Sequence, residues 1–183
     1  VGLFWETLDQ RSAWRLASAA DLVPTLTAGA TLTVPTGISP YDDVSSSFDV
    51  TGRGFYRLDG LVNVDKGYRA WSLSLSLGYG IAFERWVNRS YGGWVPPVQK
   101  KLGNRASVGG TVAYRIFLGT GGQALALGAG LAWAHEDQGT RDGVRDDTTG
   151  FAQTTASLTA SWSSTDSDWS ARAGLAHAIQ ADG

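Results

Sequence analysis

Through most of its length this chain alternates apolar and small polar residues one by one, and that period of two constrains the fold more than any other feature. Successive side chains of a strand point to opposite faces, whereas a helix would spread the same residues around its circumference. In TLTAGATLTV, Leu26, Ala28, Ala30, Leu32 and Val34 fall on one face, and Thr25, Thr27, Gly29, Thr31 and Thr33 on the other. In WSLSLSLGYGIAF, Trp71, Leu73, Leu75, Leu77, Tyr79, Ile81 and Phe83 share a face opposed by Ser, Gly and Ala.

The pattern predicts further strands over 53–64, 105–118, 123–135, 150–162 and 168–180, and an eighth over 12–20, where RLASAADL could equally begin a helix. Tight turns are expected at Asp65-Lys66-Gly67, Thr120–Gly122 and Ser164–Ser167. Long loops are expected at 36–50, 85–103 and 137–149. Strands of about 12 residues exceed the globular mode and suit a tilted membrane-crossing strand of about 9–11. Short turns at one rim and long loops at the other follow the same plan. Aromatic residues cluster toward both ends of the strands: Tyr68, Trp71, Tyr114, Trp162 and Trp169 near the short turns, and Tyr79 and Trp133 toward the long loops. Two such rows flanking an apolar band are what a barrel anchored at both membrane interfaces requires.

The chain has no run of about 18 apolar residues, so it offers no membrane-crossing helix, and a closed barrel is the remaining way to satisfy the backbone in lipid. A net charge of −2 argues against nucleic acid as a partner. Cysteine is absent, which excludes disulfides and thiolate metal sites; no metal or other cofactor is expected. Methionine is absent even at position 1, so the chain is read as processed or as part of a longer one. The competing fold is a soluble β-barrel or sandwich with its apolar face inward. Its outer face would then carry Ser, Gly and Ala in place of the usual Lys and Glu.

These patterns make the chain similar, over residues 23–183, to Gram-negative outer-membrane β-barrel proteins. The stretch LTVPTGISP also resembles the putative outer-membrane transporter family associated with aromatic-compound degradation, which would imply passage of small hydrophobic or aromatic compounds. The expectation is a single all-β domain over 1–183, with 1–22 loosely assigned. It is an antiparallel up-and-down transmembrane β-barrel with about eight strands visible. Such barrels usually end on the short-turn side in an aromatic residue, but here strand direction places both ends on the long-loop side. The intact barrel is therefore expected to have ten or twelve strands.

For function, the expectation is a passive channel or uptake pore for small solutes in the bacterial outer membrane, with membrane lipid as its surroundings. Arg15, Arg57, Asp59, Glu84, Arg115, Gln153 and Arg172 are the candidate pore-lining residues, with the arginines favouring anions. The alternative is a docking barrel with a filled lumen, because small barrels pack their interiors with side chains. Trp86, Tyr91 and Trp94 in loop 85–103 would then form a surface for a protein partner. No nucleophile motif accompanies His135 or His177, so no enzyme is expected. The acidic residues of 135–150 lack EF-hand spacing and read as a solvated loop.

Overall fold

The computed structural model describes residues 2–8, 23–118, 123–164 and 169–182. These residues form an all-β, antiparallel structure whose only helical element is a single 3₁₀ turn, Ser47–Asp49. Eight long strands make one sheet in the order β1 (Gly2–Leu8), β2 (Thr25–Thr33), β3 (Arg57–Tyr68), β4 (Trp71–Ala82), β7 (Arg105–Leu118), β8 (Gln123–Glu136), β11 (Phe151–Ser163) and β12 (Ser170–Asp182). Each strand of this sheet pairs with the one before it, so the meander predicted by the alternation is present. β1 and β12 are the outermost strands, and among the described residues no pairing joins them. The strand expected at 12–20 and the turn at Thr120–Gly122 lie outside the described residues. Of the Ser164–Ser167 turn only Ser164 is described, and its N–H donates to Trp169 O at 2.9 Å.

Two details depart from the sequence reading. β3 does not stop at Asp65-Lys66-Gly67; it pairs on through Tyr68 opposite Trp71, leaving Arg69-Ala70 as the turn. Arg69 takes a φ of 55°, the positive angle required at the first central position of a type II′ hairpin. The turn-forming residues were misleading here because the Val64/Asp65/Lys66 alternation continues through them. In β12, Thr154 pairs with Gln180 but Thr155 with Ala178, so Ile179 is the extra residue of a bulge. Gln180 consequently shares a face with Thr154 and not with Arg172.

The segment expected as loop 85–103 is largely strand, and the one expected at 137–149 carries a short hairpin. β5 (Arg85–Ser90) and β6 (Gly93–Lys101) form a hairpin, and β9 (Thr140–Arg141) and β10 (Val144–Arg145) form another. Asp142 and Gly143, both at positive φ, close the second hairpin as a type I′ turn does. β6 pairs with β9 through Lys100 and Arg141, so the two segments knit into a second sheet of four strands. Residues 34–56 fold against it. Tyr91 N–H donates to Pro40 O at 2.6 Å, Arg89 pairs with Asp43 at 2.7 Å, and Val44, Phe55, Val87 and Val98 are buried. Among the described residues this cap holds most of the buried apolar side chains, and the main sheet contributes Ala82 and Ala124.

Asp42 fastens the cap. Its Oδ2 accepts from Ser39 N–H and Ser39 Oγ, both at 2.8 Å, and its Oδ1 accepts from Arg85 Nη2 at 3.1 Å. The Ser39 amide, the Ser39 hydroxyl and then Arg85 hold the Asp42 carboxyl below its ordinary value of 3.8. A depressed folded-state pKa contributes stability above the unfolded value and loses it as pH falls through the folded one. Amide exchange at Ser39 is therefore expected to accelerate as pH falls below 3.8, after correction for the intrinsic exchange rate. Asp42→Asn should exchange fast at neutral pH and lack that acid step. An unchanged acid step in the variant would remove Asp42 from this role.

Candidate functional site

The main sheet turns its apolar residues outward. Along β4, Leu73, Leu75, Leu77, Tyr79 and Ile81 are exposed, while Ser74, Ser76 and Gly78 are half-buried and Gly80 and Ala82 buried. The same inversion puts Leu131 at 59% exposure and Leu158 at 62%. A soluble sheet arranges its faces the other way, and contiguous exposed apolar surface on this scale marks a partner or membrane surface. Trp71 packs on Tyr114 across the β4–β7 pair, with ring centroids 4.7 Å apart and Tyr68 opposite Trp71, at the short-turn end. Trp162 stands opposite Leu125 and Ala171 near that end, and Trp169 is exposed just before β12. Tyr79 and Trp133 occupy the same apolar face toward the other end, where Trp133 stacks on His135 with centroids 5.7 Å apart.

The opposite face is built of small residues that interlock. A Cβ placed on Gly78 would meet Ser107 Oγ at 2.6 Å, and one on Gly109 would meet Ser76 Oγ at 2.8 Å. The Ser and Thr hydroxyls of one strand therefore occupy space left by the glycines of the next. Ser74 also donates to Asp65 on this face. A cavity of about 730 Å³ lies between this face and the 34–56 segment, and a second of about 360 Å³ lies on the same face between Asn63, Ser76, Thr111 and Ser157.

Charge collects at the larger cavity. Glu136, 7% exposed at the end of β8, takes Arg53 Nη1 on Oε1 and Arg57 Nη2 on Oε2, each at 3.1 Å. Arg57 also donates to Gly103 O at 3.3 Å, while its buried Nε meets no protein acceptor among the described residues. Since β4 and β7 lie between β3 and β8, this bridge runs across the small-residue face and ties the 34–56 segment to the wall. Arg105, the Cα partner of both Gly80 and Glu136, also lines the cavity and lies over the Phe151 ring at 5.8 Å.

Of the residues singled out from sequence, Arg57 and Asp59 line this cavity. Gln153 is on the same face opposite Ala134, and Arg115 and Arg172 are exposed toward the short-turn end. Glu84 sits just beyond β4, where its carboxylate accepts from Gln99 Nε2 at 2.7 Å and belongs to the cap. Arg15 lies outside the described residues. Trp86 and Trp94 stand exposed on the strands of the cap hairpin and Tyr91 in the turn that joins them; Phe48, on the 3₁₀ turn, is exposed as well. The sequence reading missed Arg53, Arg105 and Glu136. Extending the 105–118 alternation back by one step places Arg105 beside Ser107, and extending 123–135 forward places Glu136 beside Ala134. Arg53 falls on the same odd-numbered face as Arg57 in the segment read as a strand over 53–64, but β3 begins only at Arg57, so Arg53 reaches Glu136 from outside the sheet.

No protein-family model matches the chain, and no curated protein is similar to it.

Proposed function

We propose that this chain forms the wall of a transmembrane β-barrel in a bacterial outer membrane and serves as a passive channel or uptake pore for small solutes. The observation that carries the reading is the two-sidedness of the main sheet, with leucines exposed on one face and small polar residues on the other, where the cavities of about 730 and 360 Å³ lie. Hydrocarbon accepts that outer face and water does not. Strands of 12–14 residues from β3 onward in the main sheet suit a tilted crossing, and the aromatic residues near both strand ends suit the two interfaces. The similarity of this pattern to Gram-negative outer-membrane barrels, and of LTVPTGISP to the transporter family of aromatic-compound degradation, points the same way. On this reading the protein is not an enzyme and its surroundings are lipid.

The test is reconstitution in planar bilayers. Discrete conductance steps are expected, with ion selectivity that changes in Arg57→Gln. A protein that inserts into lipid but passes no current would defeat the channel reading. A second reading, a docking barrel, is favoured by the exposed Trp86, Tyr91 and Trp94 on the cap. It would be selected by a silent bilayer together with a partner whose binding is lost in Trp86→Ala and Trp94→Ala.

A further inference from the structure

We propose that the cavity under the 34–56 segment is a binding site for small monocarboxylate anions, anchored by Arg105. The proposal deepens the solute-path reading and rests on it. Three guanidinium groups line the cavity: Arg53, Arg57 and Arg105. Glu136 engages the first two. The Arg105 side chain, by contrast, forms no ion pair or hydrogen bond among the described residues and lies over the Phe151 ring. An aromatic face takes up none of the N–H donors of an arginine fork, which stay free in the guanidinium plane, where a carboxylate can take them in pairs.

Asp59 sits in the same cross-strand row, with Gly80 between it and Arg105. A Cβ on Gly80 would collide with the Asp59 carboxylate, so the glycine makes the room in which Asp59 lies over β4. Arg53, Arg57 and Arg105 against Asp59 and Glu136 leave one positive charge at the cavity. A single carboxylate neutralises it, whereas a dianionic phosphate would invert it. The rest of the lining includes Pro35, Phe55 and Leu61, which suit a short apolar body behind the carboxylate. The volume, about 730 Å³, falls within the range of small-molecule sites.

The experiment titrates butyrate, butylammonium and inorganic phosphate against the detergent-solubilised full chain, with binding read by calorimetry and the fold by circular dichroism. Saturable butyrate binding is expected, weakened roughly tenfold or more in Arg105→Gln and partly restored in Arg105→Lys, without loss of β signal. Butyrate binding that ignores Arg105, butylammonium bound as well as butyrate, or phosphate bound more tightly than butyrate would each overturn the proposal. Current through planar bilayers is measured on the same preparations. Arg105-dependent binding in a silent protein defeats the channel and keeps the site. Conduction with butyrate binding that is indifferent to Arg105 defeats the site and keeps the channel.

Discussion

Leu131→Arg is expected to cost the lipid-inserted fold about 2–4 kcal/mol, while Ala132→Arg, one residue further along β8, costs far less. Leu131 is exposed near the middle of the strand on the apolar face, and Ala132 faces the small-residue side opposite Gly109 and Thr155. On the proposed membrane-barrel reading, a guanidinium at position 131 would sit at hydrocarbon depth. One at 132 would reach the polar interior, where charge alters selectivity before stability. Urea titration of both variants refolded into vesicles measures the difference. Equal losses, or a larger loss for Ala132→Arg, would mean that the leucine face meets protein and not lipid.

The second large effect is at Glu136. Removing one partner of a buried pair leaves the other charge uncompensated, at a cost of about 3–5 kcal/mol. Glu136→Ala strands Arg57, whose side chain is only 15% exposed, so a loss in that range is expected. Arg53→Ala should cost about 1 kcal/mol or less, because Arg53 remains 66% exposed and its pair is largely screened. Replacing both members, Arg57→Met with Glu136→Leu, should recover most of the loss. Similar losses for Arg53→Ala and Glu136→Ala, read from urea midpoints, would show that the bridge works as a surface contact.

Most of the wall was legible from sequence because each residue of a strand answers to a face. Leu73, Ser74, Leu75 and Ser76 report the sheet locally, and no distant contact is needed to read them. Features set by pairing between distant segments were not legible. Nothing in Trp86 to Lys101 announces that β6 will meet β9, with which it pairs through Lys100–Arg141 and Lys101–Thr140. Turn composition pointed to Asp65-Lys66-Gly67, yet the register with β4 carried the strand on to Tyr68. The bulge at Ile179 likewise depends on β11 as much as on β12. The site was legible in part: Arg57 and Asp59 follow from the alternation, but the bridge that engages Arg57 needs Arg53 from the stretch that precedes β3 and Glu136 from a strand three positions away in the sheet.

The aromatic residues at the two ends of β4 carry one more consequence. Trp71 and Tyr79 are eight residues apart in sequence, about 27 Å along a strand, or roughly 21 Å along the bilayer normal at a barrel tilt near 40°. That is less than the roughly 30 Å of an average hydrocarbon core. If the sheet is the wall of a membrane barrel as proposed, a wall of this height fits a thin membrane without deforming it, whereas a thicker one would have to be compressed at its rim. Bilayer thickness would thus favour insertion into one membrane of a cell over another, before any receptor or loop took part.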